Sequence, residues 1–246
     1  MDIHASEFLY DLMDRKPKPR VRPILDLFIE CKQSELPYVF FLFSIERWVP
    51  DFPMFSGLVA DSRALVLMEE NGRGINVPVI EALGLKEHPF LAGSTEYAST
   101  FSKCERTGSS LKLSGSESYN QIVLPLLKAA AYFHEIEKPP ESARYFDCHL
   151  MLCVGVLNAP MIGVRVTENS HELTMLPWVR VVRQQSEQSP SPRRWKRVTA
   201  IDVVHKDFFQ TYMKTHLLPF ADDFSQKVFE NEEIVASGDR YIVKNE

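Results

Sequence analysis

A carboxylate and an ammonium group flank a cysteine at the end of an apolar run near the start of the chain. The run is Pro23-Ile24-Leu25-Asp26-Leu27-Phe28-Ile29, and Glu30-Cys31-Lys32 follows it directly. Successive side chains of a β-strand point to opposite faces, so Glu30 and Lys32 share one face. A carboxylate can bind a metal ion, and a fixed lysine can stabilise negative charge on a phosphodiester. These residue types and their spacing predict nuclease chemistry.

That chemistry requires more than one carboxylate. Hydrolysis of a phosphodiester needs an activated water and positive charge near the phosphorane oxygens, and Mg²⁺ or Mn²⁺ held by oxygen ligands supplies both. A nearby lysine can orient the water or stabilise the developing charge. We therefore expect a second carboxylate to bind the metal together with Glu30.

The segment around Glu30 resembles the core of the PD-(D/E)xK nuclease superfamily, the restriction-endonuclease-like proteins. The resemblance rests on Leu25-Asp26-Leu27-Phe28-Ile29-Glu30-Cys31-Lys32, followed by Pro37-Tyr38-Val39-Phe40-Phe41. In that superfamily a strand ending in Glu-x-Lys supplies a metal-binding carboxylate and a lysine, and a preceding strand supplies an aspartate. The resemblance implies Glu30 as metal ligand and Lys32 as catalytic lysine.

The aspartate must come from upstream. Asp26 shares a face with Glu30, but four strand residues separate them by about 13 Å, whereas Mg²⁺ binds its ligands at about 2 Å. Asp14 lies in the charged stretch Asp14-Arg15-Lys16-Pro17-Lys18, which is typical of a solvated loop. Of Asp2, Asp11 and Asp14, Asp2 most resembles the aspartate of the superfamily, in a strand that begins Asp2-Ile3-His4-Ala5. We therefore predict Asp2 and Glu30 as the metal ligands.

Two observations limit this interpretation. The superfamily normally has a helix and at least one strand before the aspartate, and Met1 leaves no room for them. The sequence thus indicates an N-terminally truncated protein or a degenerate relative. An E-x-K triplet also occurs about once by chance in a chain of this length. A strand end with two solvated charges is the alternative for Glu30 and Lys32.

Composition and charge restrict the partners that this chain can bind. The 246 residues are 45% hydrophobic and 25% charged, as in an ordinary globular protein, and the net charge of −5 argues against coating of nucleic acid by bulk charge. DNA is the expected partner through local basic segments, residues 15–22 and 193–197, although the second is also typical of a solvated loop.

Cysteine usage and hydropathy indicate the compartment. The four cysteines form no metal-binding spacing, and the chain has neither a signal peptide nor an apolar run near 18 residues. We expect a cytoplasmic protein without a membrane partner.

The predicted elements form one α/β domain over residues 1–246 with a restriction-endonuclease-like mixed sheet flanked by helices. Residues 1–43 and 115–136 form its nuclease-like core, with strands at 24–31 and 38–43 and a helix at 115–136. We expect Cys31 on the buried apolar face of the first strand, and we expect the second strand, which has no alternation, to be covered on both faces. Residues 145–246 form a C-terminal elaboration. We expect there an antiparallel meander at 145–156, 161–166 and 173–182, a strand at 198–204, and helices at 207–217 and 222–235.

Two function classes remain. The first is a metal-dependent endonuclease that hydrolyses DNA, in which Asp2 and Glu30 bind Mg²⁺ or Mn²⁺, Lys32 assists, and Gln33 orients a ligand. The second is a catalytically inactive module with the same fold that binds DNA or a protein partner.

Overall fold

A large mixed β-sheet with helices on both faces dominates the computed structural model, which confirms the α/β class. The structure describes residues 1–11, 19–44, 49, 51–58, 65–68, 74–93, 95–140, 143–167, 170–186, 196–237 and 241–242. The strands are β1 (Ile3–Phe8), β2 (Val21–Gln33), β3 (Tyr38–Phe43), β4 (Met54–Ser56), β5 (Leu65–Met68), β6 (Gly74–Val77), β7 (Glu96–Thr107), β8 (Ser110–Leu113), β9 (Phe146–Asn158), β10 (Met161–Val166), β11 (His171–Met175), β12 (Trp178–Ser186), β13 (Lys196–His205) and β14 (Tyr241–Ile242).

The helices are α1 (Val79–Ala82), α2 (Glu117–Ile136), α3 (Phe209–Tyr212), α4 (Leu218–Glu230) and α5 (Glu232–Ser237). A 3-10 turn, Lys206–Phe208, precedes α3, and a π-helical turn, Met213–Leu217, joins α3 to α4. None of the helices in the described parts of the chain is long and apolar enough to cross a membrane.

Eleven of the described strands form the main sheet, in the order β1-β2-β9-β13-β12-β7-β3-β10-β11, with β4 paired to β9 and β8 paired to β7. A smaller sheet has the order β14-β5-β6. Strand β2 is antiparallel to β1, whereas β9 is parallel to both β2 and β13. Three strands of the predicted C-terminal elaboration, β9, β13 and β12, thus lie in the middle of the main sheet, whereas β10 and β11 lie at one edge.

Strand β2 is longer than the predicted strand at 24–31 because β9 pairs with it along its whole length, from Val21 opposite Phe146 to Gln33 opposite Asn158. Its alternating side chains enter two cores. Leu25, Leu27 and Ile29 pack with the C-terminal helices on one face, and Phe28 packs with α2 on the other. Asp26 and Glu30 are therefore on the α2 side of the sheet by strand alternation.

Two expectations about burial are corrected. Cys31 was predicted on the buried side of β2 and is exposed, because it lies near the end of the strand. Strand β3 was predicted to be covered on both faces. Tyr38 and Phe40 are buried, but Val39 and Phe41, which alternate with them, are only half-buried.

Helix α2 confirms the predicted helix at 115–136 and continues through Pro125. Ile122, Leu126 and Ala130, at the predicted helical spacing, are fully buried against the sheet. The C-terminal end of the helix lies near the middle of β2, where Phe133 contacts Phe28, and Glu137 follows the helix directly.

The predicted antiparallel meander is found only in part. Strands β10 and β11 form an antiparallel pair, but β9 pairs with β2 and β13, and β12 pairs with β13 and β7. The two C-terminal helices were also expected to be separate. Pro219 lies in the first turn of α4, directly after the π-helical turn Met213–Leu217, and helical structure continues from Lys206 to Glu230.

Candidate functional site

The pairing of β1 with β2 brings Asp2 to the end of β2 that carries Glu30 and Lys32. The backbone N–H of Asp2 donates to the carbonyl oxygen of Ile29 at 2.9 Å. The backbone N–H of Cys31 in turn donates to Oδ2 of Asp2 at 2.7 Å. The Asp2 carboxylate is thus held against the backbone of the residue between Glu30 and Lys32.

Glu30 is almost completely buried, with 3% of its surface exposed. The ammonium group of Lys32 donates to Oε1 of Glu30 at 2.6 Å. The terminal amine of Met1 lies 2.7 Å from Oε2, but without the geometry of a hydrogen bond. Both carboxylate oxygens of Glu30 thus face ammonium groups, and a metal ion that binds Oε2 would take the place of the Met1 amine.

The electrostatics keep Lys32 charged. Its hydrogen bond to Glu30 raises the pKa of Lys32, burial opposes this effect, and the negative charges of Glu30 and Asp2 raise the pKa further. Lys32 is therefore protonated at neutral pH and can act as a hydrogen-bond donor or a fixed positive charge, but not as a base.

Gln33 is placed differently from the other three predicted residues. It is exposed at the end of β2, and strand alternation puts it on the opposite face from Lys32 and Glu30. Its part in binding a ligand stays a prediction.

A second cluster of polar side chains lies on the same face of β2, centred on Asp26, which is 1% exposed. Nδ1 of His149, on β9, lies 2.5 Å from Oδ2 of Asp26. On the other side, Nε2 of His4 lies 3.0 Å from Oδ1, which also accepts a hydrogen bond from Ser6. Glu137, directly after α2, places Oε2 3.6 Å from Nδ1 of His149.

The residues of this second cluster change one another's pKa. Burial by itself raises the pKa of Asp26, but hydrogen bonds from His149 and Ser6 outweigh it, and the pKa lies below its ordinary value. Burial by itself lowers the pKa of His149, but the hydrogen bond to Asp26 and the charge of Glu137 raise it above its ordinary value. Burial raises the pKa of Glu137, against the opposing effect of His149.

Ser6, His4 and Asp26 have the residue types of a serine-hydrolase triad but not its geometry. In such a triad the two ring nitrogens of histidine face different partners. Here Nε2 of His4 is the atom near both partners, 3.2 Å from Oγ of Ser6 and 3.0 Å from Oδ1 of Asp26. The hydroxyl of Ser6 also donates to Asp26 directly. This arrangement does not activate the serine as a nucleophile.

Comparisons of the chain with protein-family models, curated proteins and solved structures found no match. The site itself is therefore the basis for inferring function.

The residues around Asp26 were not identified from the sequence. His149 and Glu137 lie more than a hundred residues from Asp26 in the chain, and no local motif connects them. His4 and Ser6 carry a weak signal, because antiparallel pairing of β1 with β2 places them opposite Phe28 and Asp26.

The structure describes part of each predicted DNA-contacting segment. Residues 15–18 of the first segment and 193–195 of the second lie outside the described residues. In the described part of the first segment, Arg22 forms an ion pair of 2.6 Å with Asp147.

Proposed function

We propose that this protein is a metal-dependent nuclease that hydrolyses DNA, with Asp2 and Glu30 as ligands of Mg²⁺ or Mn²⁺ and Lys32 as the catalytic lysine. The observation that carries the proposal is the junction of β1 and β2, at which Asp2, the buried Glu30 and Lys32 meet at one strand end. The large mixed sheet with helices on both faces is compatible with a restriction-endonuclease-like core.

Each residue has a role that follows from its surroundings. Glu30 provides Oε2, the buried oxygen at which a metal ion would replace the terminal amine of Met1. The backbone N–H of Cys31 donates to Oδ2 of Asp2 and so orients the carboxylate. A bound Mg²⁺ or Mn²⁺ supplies positive charge and lowers the pKa of a water molecule. Lys32, held protonated by Glu30, donates to the phosphate oxygens on which negative charge develops.

The alternative is a module with the same fold that binds DNA or a protein partner without cleavage. It is favoured by the 2.6 Å contact between Lys32 and Glu30, because this lysine already neutralises the carboxylate in the absence of a cation. The free thiols of the four cysteines, which fit a reducing compartment, support a cytoplasmic location for either function.

Calorimetric titration with Mn²⁺ tests the proposed site without knowledge of the substrate. We expect the wild type to bind Mn²⁺, and we expect Glu30→Gln to lose binding at this site, since the amide removes the negative charge but keeps the shape. Glu7→Gln is the matched control, because Glu7 is an exposed glutamate on β1. A wild type that binds no Mn²⁺, or a Glu30→Gln variant that binds as the wild type does, would contradict the proposed metal site.

A further inference from the structure

The second cluster brings together three ligand atoms from three separate parts of the fold. Asp26 lies on β2, His149 on β9, and Glu137 directly after α2. One atom from each of these side chains lies within 4.8 Å of the other two. We propose that Asp26, Glu137 and His149 bind a divalent transition-metal ion of the Zn²⁺ class, at a site separate from Asp2 and Glu30.

The first support is an unsatisfied buried atom. Oε2 of Glu137 is shielded from solvent and has no hydrogen-bond partner among the described residues. Nδ1 of His149 lies 3.6 Å away from it, beyond hydrogen-bond distance. A buried carboxylate oxygen without a partner is costly, and a metal ion between Glu137 and His149 removes that cost.

The second support is the balance of charge. Asp26 and Glu137 place two carboxylates close together, and Asp26 is almost completely buried, with 1% of its surface exposed. The polar side chains described around them are His149, His4, Ser6 and Ser56, which provide no permanent positive charge. A divalent ion compensates both carboxylates.

The donor atoms select the class of metal. Two carboxylate oxygens and one imidazole nitrogen are typical ligands of Zn²⁺ and similar ions, whereas Mg²⁺ prefers oxygen ligands alone. Ligands at about 2.1 Å in a tetrahedron are about 3.4 Å apart. The contact of 3.6 Å between His149 and Glu137 is close to this value. The 2.5 Å hydrogen bond between His149 and Asp26 must widen by about 1 Å when the ion replaces its proton.

His4 fixes the orientation of Asp26. Its ring packs against two aromatic rings, with centroid distances of 4.8 Å to Phe28 and 4.3 Å to Phe133. Its Nε2 atom lies within hydrogen-bond distance of Oδ1 of Asp26, so Oδ2 remains directed at His149. Hydrogen bonds of this kind to a ligating carboxylate are part of established metal sites, and we assign His4 as a positioning residue.

This site and the proposed nuclease site can be tested independently. Asp26 and Glu30 lie on the same face of β2 but about 13 Å apart along the strand. Phe28 lies between them in the sequence and is fully buried. A variant at one site therefore leaves the ligands of the other in place.

The test is Co²⁺ binding by the full chain, purified without a histidine tag and treated with EDTA. Co²⁺ is a visible probe of Zn²⁺ sites, and added Zn²⁺ should displace it. We expect one equivalent of Co²⁺ to give d–d absorption bands in the wild type. We expect Glu137→Gln and His149→Gln each to weaken binding by more than about 100-fold, since even residues that support a ligand contribute about 10- to 100-fold. Glu137 is only half-buried, so its variant should fold.

Three controls separate this site from others. Glu135→Gln alters an exposed glutamate at the same end of α2 and should bind Co²⁺ as the wild type does. Glu30→Gln should also retain Co²⁺ while it loses Mn²⁺ at the nuclease site. Cys31→Ser should leave the spectrum unchanged, although Cys31 is an exposed thiol. Absence of Co²⁺ binding in the wild type, unchanged binding in folded Glu137→Gln, or loss of the bands in Cys31→Ser would overturn the proposal.

Discussion

Arg180 and Asp202 form a bidentate ion pair in the interior of the protein. Nε and Nη2 of Arg180 donate to the two carboxylate oxygens of Asp202 at 2.7 and 3.0 Å, and both side chains are buried. Nη1 donates to the carbonyl oxygen of Phe90 at 2.8 Å. The pair thus attaches the segment after α1 to the neighbouring strands β12 and β13.

We expect Arg180→Met to lower the free energy of unfolding by about 3–5 kcal/mol, because it leaves the Asp202 carboxylate buried without its counter-ion. The matched control is Arg165→Met. Arg165 pairs with Glu96 at 2.6 Å, but both side chains are partly exposed, and the expected loss is about 1 kcal/mol or less. Urea unfolding of the three proteins measures both values, and equal losses would contradict the structural role of Arg180.

Gly57 approaches the neighbouring strand too closely for any other residue. A Cβ atom on Gly57 would overlap the carbonyl oxygen of Asp147 and come within 3.0 Å of the His149 ring. Gly57 also has a φ of +77°. Gly84 has a similar φ of +70°, but a Cβ atom there would meet nothing within 4 Å.

The two glycines therefore separate backbone strain from close approach. We expect Gly84→Ala to cost about 1–2 kcal/mol, the penalty for a side chain in the left-handed region. Gly57→Ala should cost clearly more and should also weaken Co²⁺ binding, because His149 is displaced. Urea unfolding and the Co²⁺ titration check these expectations. A Gly57→Ala variant as stable as Gly84→Ala would show that the contact with Asp147 is absent in solution.

His88 makes stability depend on pH through a hydrogen bond that only the neutral ring accepts. Nδ1 of His88 accepts the backbone N–H of Phe90 at 3.1 Å. Burial lowers the pKa of His88, and the charge of Asp223 opposes this only in part. The unfolded chain therefore binds the proton more readily than the folded protein does. The contribution of His88 is fully present above the unfolded pKa of about 6.5 and is lost as pH falls from that value through the lower folded pKa.

We expect the wild type to lose more stability than His88→Gln when the pH is lowered from about 7.5 to about 5.5. Urea unfolding at both pH values gives the two differences, and effects of other titrating groups cancel in the comparison. An equal or smaller loss in the wild type would show that His88 does not control this pH dependence.

Local patterns in the sequence were sufficient for strands and helices that carry a strong periodic signal. The helix at 115–136 and the strand at 38–43 were predicted within two residues of α2 and β3. Strand pairing was not predictable in the same way. The apolar run that became β9 has no feature that distinguishes β2 from β10 as its partner, and pairing across more than a hundred residues decided the sheet order.

The same distinction holds for the two sites. Glu30 and Lys32 were identifiable because their spacing in one strand determines that they share a face. Antiparallel pairing of two neighbouring strands is sufficient to bring Asp2 close to Glu30 and Lys32. The cluster around Asp26 instead combines side chains from β1, β2, β9 and the end of α2. The distance between Asp26 and Glu30 excludes Asp26 from the first site, and the structure gives it hydrogen-bond partners of its own.

DNA cleavage in Mg²⁺ or Mn²⁺ tests the proposed nuclease most directly. Single-stranded and double-stranded DNA should each be incubated with the wild type, Glu30→Gln and Lys32→Met, with Glu7→Gln as the matched control. We predict that the wild type and Glu7→Gln cleave DNA and that EDTA abolishes this cleavage. The cleavage rate should fall by at least about 100-fold in Glu30→Gln and Lys32→Met. Circular dichroism should verify that both variants are folded. Wild-type cleavage by either folded variant, or no cleavage by the wild type on either substrate, would contradict the proposed function.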